Sequence, residues 1–263
     1  MLHQALKSLK LPPRKEKFSR LDLNTTRFIR DLNVRVYFAD DKYSLFSIDT
    51  LTTCADLEIM VATKLGLKDS SPFSIIETAE FGDKEDRLLH PYDRVSEVIA
   101  LWTRSHYENA SLSLSYRLVY KVKYFFDIDI TDSVALELYY IQAVRDILDM
   151  RYLCTNQDCY VLAALQLQEE YGDCAEQERI GAYFRHNMKR YLPSYWIPNG
   201  IDEAATKGRE HIEHKILQMH MALSGYNQID ARVTYLDFVS KLPVYGCQFF
   251  MVQVAHEHRI FKT

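Results

Sequence analysis

Apolar and polar residues alternate through Val34, Val36 and Phe38, the period of a half-buried strand. Tyr43 to Ile48 reads as its hairpin partner across Asp40-Asp41, a poorer turn pair than Asp-Gly. The period then changes. Thr53 stands three residues before Asp56, a capping-box spacing. Leu57, Met60, Val61 and Leu65 follow at helical intervals, and Gly66 is a helix stop. Residues 73–78 predict a further strand, and Leu88-Leu89 a short extended step after a charged loop. A helix starts near Asp93, with Val95, Val98, Ile99 and Trp102 on one face.

From residue 112 to 242 the pattern reads as almost wholly helical, although the aromatic-rich run 118–130 also suits a partly extended segment. Residues 132–149 carry Leu136, Tyr139, Tyr140, Val144, Ile147 and Leu148 at helical spacing. Thr155 and Asp158 repeat the capping-box spacing before Val161, Leu162, Leu165, Gln168 and Tyr171, and Gly172-Asp173 punctuates the end. After Pro193 and Pro198 a long helix over about 202–224 aligns Ala205, Ile212, Ile216, Met219 and Leu223, and Gly225 stops it. A final helix holds Ala231, Tyr235, Phe238, Val239 and Leu242. Such stripes are the seams of a helix bundle. The chain then reads as a turn at Pro243 and a strand with no partner downstream, so it is expected to end just inside a third domain. The order of the first part, strand, strand, helix, strand, short strand, helix, is that of a ubiquitin-like β-grasp.

Composition narrows the function classes. The 263 residues are 48% hydrophobic and 26% charged, enough for a packed core. The net charge of -4 excludes binding of nucleic acid through bulk charge. Eight glycines, none close enough for a Gly-rich phosphate loop or a nucleophile elbow, exclude the commonest phosphate cradles. Cys54, Cys154, Cys159, Cys174 and Cys247 form no C-x-x-C pair, and no apolar leader stands at the N-terminus, so reduced, packed thiols in a cytoplasmic chain are expected. Residues 1–29 differ from the rest: up to residue 20, Lys7, Lys10, Arg14, Lys15, Lys17 and Arg20 face one acid, Glu16. They read as a solvated linker, or as a basic arm for an anionic surface.

The stretches 36–53 (Val-Tyr-Phe-Ala-Asp-Asp-Lys-Tyr-Ser-Leu-Phe-Ser-Ile-Asp-Thr-Leu-Thr-Thr), 91–102 (Pro-Tyr-Asp-Arg-Val-Ser-Glu-Val-Ile-Ala-Leu-Trp), 162–173 (Leu-Ala-Ala-Leu-Gln-Leu-Gln-Glu-Glu-Tyr-Gly-Asp) and 242–252 (Leu-Pro-Val-Tyr-Gly-Cys-Gln-Phe-Phe-Met-Val) stand in this order along the chain. Together they resemble the FERM module. The segment 12–23, Pro-Pro-Arg-Lys-Glu-Lys-Phe-Ser-Arg-Leu-Asp-Leu, is similar to the join between a MyTH4 domain and its FERM domain, as in unconventional myosin tails. The resemblance implies an α+β multidomain fold. It would comprise a linker or MyTH4 remnant at 1–29, a ubiquitin-like lobe at 30–104, a helical bundle like acyl-CoA-binding protein at 105–243, and the incomplete start of a pleckstrin-homology-like sandwich at 244–263.

That resemblance implies a non-catalytic module, with no cofactor, that links a cytoskeletal motor or adaptor to cargo or to the cytoplasmic tails of membrane receptors. The cytoskeleton, actin or microtubules, would be reached through the full-length protein, at the cytoplasm or cell cortex, with peripheral contact to anionic lipid. The alternatives are the N-terminal targeting module of a kinase or phosphatase, and a lipid- or acyl-CoA-binding helical lobe. Without a third lobe, the first two would expose apolar surface, and an aggregation-prone chain is expected.

No residue is assigned a catalytic, cofactor-binding or metal-binding role, and the protein-binding residues are left unassigned. His211 and His214 share a helix face but lack further ligands, with His220 on the other side. His256 and His258 share one side of the terminal strand. Glu169, Glu170 and Asp173 read as a solvated patch or a cap rather than an acid–base pair. Arg117, Lys121 and Lys123 form a basic stretch at alternating positions, read as a solvated face or as a contact for acidic cargo or lipid.

Overall fold

The computed structural model describes residues 32–79, 86–108, 116–125, 128–173 and 177–247. The basic arm, Cys174, the strand expected after 247, and His256 and His258 lie outside the described residues.

The predicted hairpin is present. β1 (Leu32–Tyr37) and β2 (Tyr43–Ile48) pair antiparallel, with Val36 opposite Ser44. The turn closes through Asp41 at φ 63°, a left-handed conformation that Asp tolerates better than most residues. Val34, Val36, Phe46 and Ile48 face the core. α1 (Cys54–Leu65) opens on the predicted capping box: the Thr53 N–H donates to the Asp56 carboxylate at 2.9 Å, and the Asp56 N–H to the Thr53 hydroxyl at 3.2 Å. Gly66 ends the helix at φ 75°, a conformation that costs glycine nothing. β3 (Phe73–Ala79), β4 (Asp86–Leu88) and α2 (Val95–Glu108) follow.

The next element corrects the sequence reading. Residues 116–122, in a stretch read as almost wholly helical, form a strand, β5 (Tyr116–Val122), in keeping with the extended alternative for the run from 118. The sheet order is β2-β1-β5-β3-β4, so β5 lies at its centre, parallel to β1 and antiparallel to β3. A first lobe ending at 104 would lack its middle strand; the sheet continues to Val122. Leu118, Val119, Tyr120 and Val122 are all buried, because a central strand is covered on both faces. That burial removes the alternation by which an edge strand is recognised.

The helical part comprises α3 (Ser133–Leu148), α4 (Asn156–Tyr171), α5 (Gln177–His186), α6 (Glu203–Met221) and α7 (Gln228–Ser240). Single-turn helices at Met188–Arg190 and Ser194–Trp196 bridge α5 and α6. Polar side chains cap the starts: Asp132 for α3, Thr155 with Asp158 for α4, Asp202 for α6, and Asn227 with Asp230 for α7. α4 is the hub. Leu162, Ala163, Ala164, Leu165 and Leu167 are buried on successive faces, because α6 and α7 both pack on it. One hydrophobic cluster runs from the sheet through α3 into Leu162, Leu165, Tyr235 and Val239. A second lies among α4, α5 and α6, around Leu167, Phe184 and Ile216.

Candidate interaction surfaces

Sheet and helices are joined by a buried seam. Phe73 of β3 stacks on Tyr120 of β5 at 5.6 Å and meets Tyr139 of α3 edge-on at 5.4 Å. Beside this sandwich, the side chain of Gln142 accepts a hydrogen bond from the Val122 N–H at 2.7 Å. The Lys68 N–H donates to Asp132 at 2.8 Å, and the Lys68 ammonium to the Thr131 carbonyl at 2.8 Å. The side chain that caps α3 thus also anchors the loop after α1.

Two ionic clusters flank the seam. In the first, Asp86 of β4 meets Lys121 of β5 and Arg151 of the α3–α4 loop, each at 2.9 Å. Arg151 also faces Asp146 of α3 at 3.5 Å, and the Tyr152 hydroxyl donates to Asp146 at 3.3 Å. Burial pushes the Asp86 carboxyl upward, but Lys121 and Arg151 overcome it and hold the group below the usual carboxylate range. Burial dominates at Asp146 and raises it to about 6. Burial likewise lowers Lys121. In the second cluster, Asp41 accepts from Arg117 at 2.7 Å and from Arg145 of α3 at 2.9 Å.

These contacts revise the reading of the basic stretch. Lys121 is neither a solvated face nor a cargo contact; it is a half-buried partner of Asp86. Arg117 pairs with Asp41 and lies 5.3 Å from the Tyr37 ring centre. Lys123 stays over the Tyr124 ring at 5.2 Å. The alternation that suggested an outward face comes from a strand packed on both sides.

The acidic group at the end of α4 faces solvent at Glu170 and Asp173 and is at the same time a set of ties. Glu169 accepts from Arg232 of α7 at 2.8 Å and from Gln228 at 2.9 Å. Glu170 accepts from the Tyr191 hydroxyl at 2.7 Å and from Arg190 at 3.1 Å. Asp173 accepts from the Gly225 N–H at 2.8 Å and from Gln168 at 2.8 Å, which fixes the α6–α7 turn. Each carboxylate is committed to a structural donor.

His211 is exposed, and the His214 ring contacts Gln218 at 2.9 Å. His220 is buried with Nε2 at 3.1 Å from the Gly172 carbonyl, so Nε2 carries the proton; burial lowers its pKa. Among the described residues no three His, Cys, Asp or Glu side chains gather as a metal site. Cys54, Cys154, Cys159 and Cys247 are free thiols. Burial pushes Cys54 up to about 12, which leaves it a thiol at neutral pH.

What remains available to a partner is surface. Tyr43 and Leu45 project from the edge strand β2, and Leu153 from the α3–α4 loop. Tyr195 and Ile201 lie in the α5–α6 connection, 74% and 100% exposed. Sequence periodicity did not find Leu153, Tyr195 and Ile201, because single apolar residues in loops carry no period. Near the end of the described chain, Tyr245 packs against Phe125 at 5.0 Å and Tyr152 at 5.9 Å, so the exit from α7 is held against the seam.

A five-stranded sheet of ubiquitin-like order is packed through a shared core on an α-helical bundle. Family models agree: one described as RA like domain matches residues 30–124, and one described as FERM central domain matches 127–250. Residues 127–250 thus match a FERM central domain, preceded at 30–124 by a lobe of the RA-like type.

Solved structures share this fold. The MyTH4-FERM MF2 domain of Dictyostelium discoideum myosin VII superposes with a TM-score of 0.75 at 18% identity, covering 97% of this chain and 52% of that one. The human Myosin 7b C-terminal MyTH4-FERM domain, solved in complex with the harmonin-a PDZ3 domain, gives 0.71 at 18% identity, covering 98% and 52%. Among curated relatives, FERM domain-containing protein C of Dictyostelium discoideum is 26% identical over 221 residues, 83% of this chain. Human tyrosine-protein phosphatase non-receptor type 13 is 26% identical over 208 residues, 78% of this chain. The chain spans only 13% and 8% of those relatives. Among the described residues no helix is long and apolar enough to cross a membrane.

Proposed function

We propose that this chain is a non-catalytic docking module that couples a cytoskeletal motor or adaptor to cargo proteins or to the cytoplasmic tails of membrane receptors. The observation that carries this reading is the seam. It fixes a sheet lobe and a helical lobe against each other with paired charges and stacked aromatics, leaving apolar side chains on the outside. A rigid body with exposed anchors suits recognition, because little order has to be imposed on binding. Myosin 7b, whose MyTH4-FERM domain has been captured with a PDZ domain, supports the same use. We place the protein at the cytoskeleton or cell cortex, and assign residues 244–263 to the start of a third lobe.

The similarity to a tyrosine phosphatase favours a second reading, in which the module targets a signalling enzyme carried elsewhere in a longer chain. The test of the main reading is affinity capture from a cytoskeletal extract on the immobilised chain, alongside binding to peptides from receptor tails. Partners should be retained by the parent chain and lost when Tyr43, Leu153 and Tyr195 are changed to Ala, with the melting temperature unchanged. Capture of no partner under either condition defeats the reading.

A further inference from the structure

A cleft of about 430 Å³ opens between the C-terminal end of α5 and the α5–α6 connection. Its walls carry Arg185, Lys189, Arg190 and Arg209 around a floor of Met188 and Ile197, and no lining residue is acidic. In a chain of net charge -4 this is a local reversal, not an overall bias.

The arginines are held in place. Arg185 makes a two-pronged contact with Glu213 of α6 at 2.6 and 3.0 Å. Arg190 is braced by the Tyr183 hydroxyl at 2.7 Å and by Glu170 at 3.1 Å. Arg209 donates to the Pro198 and Gly200 carbonyls at 2.9 and 2.8 Å. A guanidinium has five N–H donors, so each fork keeps donors beyond these contacts. Lys189 is exposed, and neither it nor Arg209 has a carboxylate within ion-pair distance among the described residues. Two positive charges of the cleft are therefore not neutralised from within. Tyr195 and Trp196, in edge-on contact at 5.0 Å, immediately precede Ile197 of the floor, and Tyr195 is exposed.

We propose that this cleft binds an acidic segment of a partner protein, with carboxylates against Lys189 and Arg209 and an apolar or aromatic side chain on Met188 and Ile197. The inference rests on the docking role above and names the chemistry of one partner. A concave site with an apolar floor and a rim of exposed cations favours a side chain with its own shape over the flat face of a bilayer. Exposed aromatics beside arginines are the usual anchors of protein interfaces.

The test uses fluorescence anisotropy of the whole chain with a short fluorescein-labelled peptide of repeated Glu-Glu-Tyr, its Gln-Gln-Tyr counterpart, and sedimentation with phosphatidylcholine–phosphatidylserine vesicles. The acidic peptide should bind and weaken with added salt, and the Gln peptide should bind about tenfold more weakly or not at all. Lys189→Glu should weaken the acidic peptide by about tenfold, and His186→Glu, on the same wall, in the same direction. Lys241→Glu, just after α7, should change it less than about twofold. Absence of peptide binding, equal effects of Lys189→Glu and Lys241→Glu, or binding to vesicles alone would each overturn the proposal. Capture of partners from the extract by the Lys189→Glu chain, at parent levels, would leave the docking role standing while this site falls.

Discussion

Individual side chains at the seam set the acid–base behaviour of the fold. Asp146 sits among Arg151, Tyr152, Lys121 and Asp86, and burial raises its carboxyl to about 6. Its unfolded value is about 4, so between those limits the folded state binds the extra proton. Stability from this group is full below about pH 4 and is lost as pH rises through about 6. Asp86, held below the usual range, works in the opposite sense: its contribution is present above about pH 4 and lost as pH falls through its depressed value. Asp146→Asn removes only the first dependence. Its melting temperature relative to the parent should improve between pH 4 and pH 7, by an amount worth about 2 kcal/mol. Parallel melting curves for the two proteins across that range would mean that Asp146 titrates as an ordinary carboxyl. None of this was legible in the sequence, where Lys121 reads as one of three alternating surface cations; its partners come from residues 86 and 151.

Elements with a polar–apolar period and a cap were readable from the chain. Thr53 and Thr155 each marked a helix start, and α3, α6 and α7 lie within a few residues of their predicted limits. β5 was legible only as a partly extended alternative, because its burial on both faces erases the period and its position depends on pairing with strands more than 35 residues upstream. α5 offered a different difficulty, a helix containing a glycine at 181. Propensity alone says that Gly181→Ala should stabilise this helix by about 1 kcal/mol. The packing says otherwise: a Cβ there would stand 2.7 Å from the Glu213 carboxylate and 3.2 Å from Leu217. Displacing Glu213 also loosens its contact with Arg185. Gly181→Ala should therefore destabilise the chain by about 1 kcal/mol, measured by urea unfolding. A gain in stability would show that α5 and α6 are less closely apposed than the structure places them.

At the scale of the whole molecule, the two lobes are not separate folding units joined by a linker. One hydrophobic cluster contains Val36 and Phe73 of the sheet, Tyr139 and Ile147 of α3, and Tyr235 and Val239 of α7. Separating the lobes would expose the Phe73–Tyr120–Tyr139 sandwich and strand the Asp86–Lys121–Arg151–Asp146 cluster between two surfaces. Apolar burial at about 25 cal/mol per Å² makes the aromatic part alone worth several kcal/mol, more than either lobe would gain from independent motion. Calorimetry should accordingly give one cooperative transition, with calorimetric and van't Hoff enthalpies in agreement. Gln142 provides the sharper experiment, since its side chain is the acceptor for a backbone N–H of the central strand. Gln142→Leu keeps comparable bulk but leaves the Val122 N–H buried without a partner, at a cost of about 1–3 kcal/mol. The single transition should move down by roughly 2–4 °C per kcal/mol and stay single, because the shared core still couples sheet and bundle. Two resolved transitions in the parent chain, or a Gln142→Leu effect confined to one of two phases, would show that the lobes fold independently and that the seam is a contact between finished domains.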